Sequence, residues 1–402
     1  MRRKRQAKKS NSKKNQKQDE ESHEEDINDE NQENNEQPNN ENEKIEADSK
    51  PTFDIDKVVK IVTVNAGSLP AACKKGFMDY VKYEDADIIC VQETKLHSKS
   101  PTGFDNYIID GYYGYFFNSE QKKGYSGTCI YTKIQPISIK PGFNDSEGRI
   151  ILIEYSNFYL INTYVPNAGM KLERLDYKIN TWNPKLKNLM DELCKKKTTI
   201  LCGDLNVAHQ PIDIFDTKGK EKCAGYTPEE RKWFDDFLKS GYTDIFRHLY
   251  PKKQQFSFFS YRFNMKAKNH GWRLDYFVMP TNTIDNDSIV DCLILNTNFS
   301  DHSPCVLILN KDKVLSEGDV PVKEPGITVL NSGAIFKKPN EESEKKDEDP
   351  KKKDEESEKK DEEPEKKEDI NNDDDDQESE QVQRSSKATK KGQAKKTNKK
   401  KK

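Results

Sequence analysis

The chain has 402 residues, 32% of them hydrophobic and 35% charged, where ordinary globular domains run near ~45–50% and ~25%. A uniform chain of that kind buries too little apolar surface to offset its ordering entropy, which excludes two or three folded domains filling the whole length. The net charge of −3 conceals segregation. Residues 1–17 hold nine Lys or Arg and no acid, 19–48 hold fourteen acids and one base, 341–380 hold 22 acids and nine bases, and 381–402 hold ten bases and no acid. The expectation is a folded core, 57–310, between two disordered tails, 1–56 (basic, then acidic) and 311–402 (low-complexity, with a basic end). The core carries about +4, which suits a polyanionic partner.

All eight Cys fall in the core, and none forms a CxxC pair, so zinc has no support. No secretory apolar segment precedes residue 57, and no apolar run approaches the ~18 residues of a membrane span. A soluble protein of a reducing compartment is expected. Arg2-Arg3-Lys4-Arg5 and the Lys-rich stretch 390–402 read as nuclear import signals or as electrostatic arms for nucleic acid, against the plainer reading of solubilising tails.

In chain order, Val58-Val59-Lys60-Ile61-Val62-Thr63-Val64 predicts a buried strand ending at Asn65, followed by a helix over 71–85 and a strand at 87–91. Further strands are predicted at 112–117, 127–132, 149–155, 158–164, 198–202, 272–279, 289–295 and 304–309. Thr227-Pro228-Glu229-Glu230 has the pattern of a helix capping box, with Gly241 past the helix end. Roughly ten strands with interspersed helices predict an α/β four-layer sandwich, two packed mixed β-sheets flanked by helices. Segment 313–338, less charged than its flanks, reads either as a short interaction motif or as a strand lying on the core.

Polar residues recur where apolar runs stop: Asn65, Gln92-Glu93, Gly203-Asp204-Leu205-Asn206 and Ser300-Asp301-His302, with Asp275 inside Trp272-Arg273-Leu274-Asp275-Tyr276-Phe277. A single Asp after a strand is usually a turn or a cap. Five such sites together point to chemistry. Asp, Glu, Asn and His without Cys are hard-oxygen ligands that suit Mg²⁺, with Mn²⁺ as a substitute, rather than zinc. One carboxylate holding such an ion, another orienting water and a His on phosphate would suit phosphodiester hydrolysis.

At these residues the sequence resembles a known family. Asn65, Val91-Gln92-Glu93-Thr94-Lys95, Gly124-Tyr125-Ser126-Gly127, Glu147-Gly148-Arg149, Tyr164-Val165-Pro166-Asn167-Ala168-Gly169 and Cys202-Gly203-Asp204-Leu205-Asn206-Val207-Ala208-His209 carry the resemblance. So do Ala224-Gly225-Tyr226-Thr227-Pro228, Phe246-Arg247-His248-Leu249-Tyr250-Pro251, Gly271-Trp272-Arg273-Leu274-Asp275-Tyr276-Phe277 and Ser300-Asp301-His302. In this order they are similar to the exonuclease III type of apurinic/apyrimidinic (AP) endonuclease, in the endonuclease/exonuclease/phosphatase superfamily. The resemblance covers 57–310 and neither tail.

The resemblance implies roles residue by residue. Glu93 matches the main metal-binding carboxylate, with Asn65 and Asp301 nearby and Asp204, Asn206 and His302 in the same metal-linked cluster. Asp204 matches the acid/base that activates water, Asn206 a group stabilising the charged phosphate, and His302 a phosphate-binding His oriented by Asp275. Tyr164 matches a phenol near the reacting oxygens. Phe258, Trp272 and Leu274 match an apolar box for a flipped-out sugar lacking its base. Lys75, Gly124, Tyr125, Asn167, Met170, Arg262, Lys266 and Lys268 match DNA-contacting positions. Such contacts position the duplex without reading its sequence. Four positions depart from the pattern: Gly67 where Asp or Asn is frequent, Met170 for an Arg, Arg262 for a wedging Met, and Cys223 for an Asn.

The implied activity is hydrolysis of the phosphodiester 5′ to an abasic site in duplex DNA, as in base excision repair. It would leave a 3′-hydroxyl and a 5′-deoxyribose phosphate, with some 3′→5′ exonuclease or 3′-end cleaning. Two other readings stand beside it: a DNA- or chromatin-binding protein with weakened catalysis, and a phosphodiesterase of another superfamily branch. A nuclear monomer is expected, with repair-protein or chromatin partners for the tails and no membrane.

Overall fold

The structure is a computed structural model that describes residues 53–97, 101–285, 287–331 and 336–337. The basic and acidic runs of both termini, with the import-like clusters, lie outside the described residues. Two seven-stranded mixed sheets form the core. The first is ordered β11(Ile289–Ile294), β12(Cys305–Asn310), β1(Val58–Asn65), β2(Ile88–Gln92), β4(Thr128–Thr132), β3(Tyr113–Phe117) and β13(Gly326–Leu330). The second is ordered β14(Phe336–Lys337), β5(Ser138–Pro141), β6(Ile150–Glu154), β7(Phe158–Tyr164), β8(Thr198–Asp204), β10(Asp275–Pro280) and β9(Tyr242–Asp244).

Central strands such as β1 and β2 are mostly apolar and buried along nearly their whole length, Lys60 excepted, because both faces are covered. One set of their side chains, Ile61, Ile88 and Cys90, packs with Leu160, Ile200, Cys202 and Phe277 between the sheets. The other set, Val62, Val64, Ile89 and Val91, packs under α1(Leu69–Lys74) and α2(Phe77–Glu84). On the far face of the second sheet, Ile161, Leu201 and Tyr276 pack with Leu186, Met190 and Phe234. These last belong to α4(Asn183–Cys194) and α5(Pro228–Lys239). That is the expected four-layer sandwich.

Local details differ from expectation for physical reasons. The helix expected over 71–85 breaks at Lys75-Gly76 into α1 and α2. A short helix α3(Leu175–Tyr177) runs through a wide π turn, Lys178–Trp182, directly into α4. Thr227 caps α5 as its sequence indicates, with reciprocal bonds between Thr227 and Glu230.

The boundary drawn at 310 is corrected. The chain continues into a single helical turn, α7(Lys311–Val314), where Val314 joins the core. It then forms β13, which pairs in parallel with β3, and β14, which pairs with β5. A low-charge stretch rich in β-branched residues satisfies two open sheet edges, so the described part of 313–338 is a strand-forming strap on the core.

Strand direction collects the polar ends at one place. β1 and β2 are parallel, with Asn65 opposite Gln92, and β7 and β8 are parallel, with Tyr164 opposite Asp204. β10 is antiparallel to β8 with Asp275 opposite Asp204, and β12 is antiparallel to β1. The ends of four strands and the starts of two therefore meet at one rim of the sandwich.

Candidate active site

At that rim lies a cleft of about 360 Å³ lined by Asn65, Glu93, Tyr164, Asn167, Asp204, Asn206, Cys223, Ala224, Gly225, Phe258, Trp272, Leu274, Asp301 and His302. All the residues expected in catalysis or metal binding line it except Asp275, which stands behind His302.

Asp204 is buried at the end of β8. The preceding Gly203 is required, since a Cβ there would lie 1.9 Å from the Thr163 carbonyl oxygen. Asp204 accepts from Asn65 Nδ2 at 2.9 Å and from the Asn206 amide at 2.8 Å. His302 Nδ1 is 2.8 Å from Asp275 Oδ2, and its Nε2 is 3.9 Å from Asp204 Oδ2. Burial works to lower the His302 pKa, but Asp275, then Asp204 and Asp301, outweigh it and push it up to about 10. Burial, with help from Asp275, raises Asp204 to about 7, although the His302 charge and two hydrogen bonds oppose the shift. At neutral pH the imidazole is a fixed cation beside a carboxylate poised to exchange a proton.

Glu93 sits in a turn of positive φ (57°), half-buried, with Lys95 Nζ 3.1 Å from its carboxylate. The turn is tied down by bonds from the Thr94 and Lys95 amides to Gly127 and Ser126. Ser300 Oγ donates to Asn65 O at 2.7 Å and lies 3.2 Å from Asp301 Oδ1, so one hydroxyl joins two of the expected metal residues.

Two donor groups thus face the cleft. Asp204, Asp275 and His302 bring their ligand atoms within 4.8 Å of one another. In that trio the imidazole already carries its proton between two carboxylates, which disfavours it as a ligand. Glu93, Asp301 and Asn65 line the cleft as oxygen donors without a thiol, chemistry that fits a hard divalent cation; Asn65 Oδ1 already accepts from the Gly67 amide at 2.8 Å and has a second lone pair to offer.

Asn206 has a different local task from the phosphate contact its resemblance implies. Its Nδ2 donates to Val165 O at 2.9 Å and its Oδ1 accepts from Asn167 Nδ2 at 2.9 Å. Both ends of the amide are committed to holding the Asp204 turn. Tyr164 is raised well above its ordinary pKa by burial and Glu93, and so remains a neutral phenol. The Arg149 guanidinium lies 4.6 Å from its ring centre.

The apolar wall consists of Phe258, Trp272 and Leu274, packed on Ala208, Ile214 and Tyr226. Trp272 and Leu274 share a face of an extended segment, as their spacing predicts. Arg273 between them points the opposite way, into Asp213 (2.8 Å) and Asp244 (2.7 Å).

Among the expected DNA contacts, Lys75 is exposed and lies 5.0 Å from the Tyr261 ring centre. Gly124, Arg262 and Lys268 are exposed, and Met170 stands out at 83% exposure. Tyr125 is half-buried, and its hydroxyl accepts from Arg149 (2.8 Å) and Arg174 (2.7 Å), both paired with Glu147. Lys266 folds back onto the Thr297 carbonyl, which leaves Lys268 as the outward base of that loop. Sequence reasoning missed Arg174 and Ser257. Ser257 Oγ accepts from the amides of Leu274 and Asp275 and so sets the start of β10. No local pattern marks such residues, whose partners are distant in the chain.

The family model described as Endonuclease/Exonuclease/phosphatase family matches residues 62–302. DNA repair nuclease APEX1 of Danio rerio is 42% identical over 261 residues, which is 62% of this chain and 82% of that protein. An exodeoxyribonuclease of Bacillus subtilis is 40% identical over 259 residues, covering 63% of this chain and 100% of that protein. Among solved structures, AP endonuclease LMAP from Leishmania major superposes with a TM-score of 0.61 at 31% identity, covering 64% of this chain and 89% of that one. Together with the His302–Asp204 pair set beside an apolar wall, these matches agree on one conclusion: the chain belongs to the endonuclease/exonuclease/phosphatase family, in its AP-endonuclease group.

Proposed function

We propose that this protein is a DNA repair endonuclease that hydrolyses the phosphodiester 5′ to an abasic site in duplex DNA, depends on Mg²⁺ and acts in the nucleus. The observation that carries the reading is the juxtaposition, in one cleft, of the Asp204–His302 pair with the Phe258–Trp272–Leu274 wall. Groups suited to phosphate chemistry there adjoin an apolar wall suited to a sugar without its base. An abasic nucleotide has already lost its pairing and stacking, so its extrusion costs less than that of an intact one.

Asp204 accepts a proton from the attacking water while the water oxygen bonds to phosphorus. The P–O3′ bond breaks, the 3′ oxygen leaves and takes up a proton, and a 5′-deoxyribose phosphate remains on the other side. The His302 imidazolium donates to a non-bridging phosphoryl oxygen, held at its far nitrogen by Asp275. Tyr164, a neutral phenol at the rim, is a donor for the reacting oxygens. Glu93, Asp301 and Asn65 would hold the divalent cation, which supplies Lewis-acid stabilisation of the charge developing on phosphate.

A duplex bearing one tetrahydrofuran abasic analogue, incubated with Mg²⁺ or with EDTA, tests the proposal. A single Mg²⁺-dependent nick on the 5′ side is expected, and its absence would refute the assignment. The 3′→5′ exonuclease reading is an additional activity of the same site, favoured by the exodeoxyribonuclease relatives and checked on a recessed 3′ end.

A further inference from the structure

Lys178 and Glu230 form an ion pair, Nζ to Oε1 2.7 Å, with 1% and 0% of their side chains exposed. Neither lines the cleft. Desolvation offsets most of the attraction in such a pair, so its presence is poor evidence of a purely stabilising part. Its remaining bonds lead to the active site from two directions.

Lys178 opens the π turn Lys178–Trp182, a rare local widening that recurs at functional positions. Its ammonium also donates to the Asn206 carbonyl at 2.5 Å. Asn206 has a φ of 49°, a conformation that surrounding structure must hold in place. Its amide fixes one oxygen of Asp204, so a shift of the Asn206 backbone moves the proposed base.

The second oxygen of Glu230 accepts from the Gly225 amide (2.7 Å), the Thr227 amide (3.2 Å) and the Thr227 hydroxyl (3.0 Å). Gly225 lies at the contact between the two halves of the site. A Cβ on it would be 3.4 Å from the Trp272 ring and 3.5 Å from the Asn206 carbonyl oxygen. One buried pair therefore holds the turn that carries Asp204 and the backbone on which the apolar wall rests.

We propose that Lys178 and Glu230 are positioning residues that set the spacing between the Asp204–Asn206 turn and the Gly225–Trp272 wall, and so place the scissile phosphate on Asp204 when a baseless sugar fills the recess. The substrate half of this inference rests on the AP-endonuclease reading; the structural half does not.

Lys178→Met alone strands a buried carboxylate and is expected to unfold easily. The informative protein is the full-length double variant K178M/E230Q, in which no charge is buried and the introduced amide oxygen still accepts from Gly225 and Thr227. Expected results are a melting temperature close to wild type, unchanged affinity for a tetrahydrofuran duplex, and single-turnover nicking slower by roughly 10- to 100-fold, the scale of a small misplacement. Amide hydrogen exchange should quicken over 204–208 and 223–227 and stay unchanged elsewhere. Wild-type nicking in the double variant, or a loss explained wholly by weaker binding, would overturn the proposal.

Exchange in the unmodified protein gives a second check that needs no variant. The Gly225 amide should be among the slow exchangers, and exchange at the rate of an exposed loop would refute the Glu230 contact. A wild-type protein that fails to nick the abasic duplex would refute the assigned function, while the exchange measurements would still decide the positioning role.

Discussion

Asp204 and Asp275 are register partners across the pairing of β8 and β10, yet their carboxylates take opposite tasks toward His302. Asp275 holds the imidazole at 2.8 Å, and Asp204 stands 3.9 Å from the other nitrogen. One carboxylate fixes a positive charge and the other is left to receive a proton.

Replacing Asp204 with Asn tests that division. The amide keeps the shape and its one oxygen can still accept from either Asn65 or Asn206, but it cannot take a proton. Nicking should fall by about 10²–10⁴-fold, the usual worth of general base catalysis, with AP-duplex binding largely intact. Single-turnover rates and a binding isotherm check both halves. A rate near wild type would assign water activation to another group.

Gly67→Asp tests the cation site. Gly67 has a φ of 60°, and a Cβ there would lie 3.3 Å from Asp301 Oδ1, so an added carboxylate would join Asp301. Left-handed backbone costs a non-Gly residue roughly 1–2 kcal/mol, and like charges add to that cost when no cation is present. With Mg²⁺ the same carboxylate should lower the concentration for half-maximal nicking by on the order of tenfold. A variant that melts early in EDTA and recovers with Mg²⁺ is the expected pattern. Unchanged half-saturation in a normally stable variant would show that position 67 does not serve the cation.

Arg273→Met should destabilise the protein by about 3–5 kcal/mol, because Asp213 and Asp244 would be left buried without their shared cation. The loss should also change acid behaviour. Burial pushes Asp213 up, but Arg273 and Arg247 hold it below the ordinary carboxylate range. A depressed carboxylate contributes stability that is full above its unfolded pKa of ~3.9 and lost as pH falls through the lower folded value. Wild type should therefore resist acid to below about pH 4, and the variant should begin to unfold at higher pH. Urea melts across the acidic range check the sign.

A fragment of residues 53–339 should fold and nick, while one ending at 310 should lose stability and self-associate. Removal of the strap takes β13 from β3 and β14 from β5, which opens an edge on each sheet at once. Light scattering of the two fragments distinguishes the cases. A monomeric, fully active fragment ending at 310 would show that the strap is dispensable.

The sequence disclosed the central strands because β1, β2 and β8 are apolar runs covered on both faces. Asn65, Glu93 and Asp204 stand out because each lies where such a run ends, whereas Asp275 lies inside its run, and Tyr164 and Phe258 are reached only through the resemblance. Short strands such as β5 and β9 have too few residues for a period to show. The strap blends into the tail because its neighbours beyond 340 are so highly charged that they outweigh the modest apolar content of 320–330. Glu230 shows in the sequence as a helix cap and no more. Its partner Lys178 lies 52 residues away, and local patterns carry no information about such a pairing. The committed amide of Asn206 is hidden for the same reason, since its partners, Val165 and Asn167, lie in the loop after β7.

Asn65 ends β1, and Glu93 and Asp301 stand just outside β2 and β12 of the first sheet, whereas Asp204, Asp275 and Tyr164 belong to strands of the second. Catalytic distance is thus a readout of how two independently hydrogen-bonded layers are seated on each other. A slide of a few tenths of an ångström would break no bond within either layer and still detune the reaction. Just behind the site, Gln92 of the first sheet donates to Asn162 of the second at 2.7 Å, and Asn162 donates back to the Val91 and Cys129 carbonyls. That small polar contact in a mostly apolar interlayer pins one layer to the other beside the cleft, so the seating of the sheets has a fixed point there.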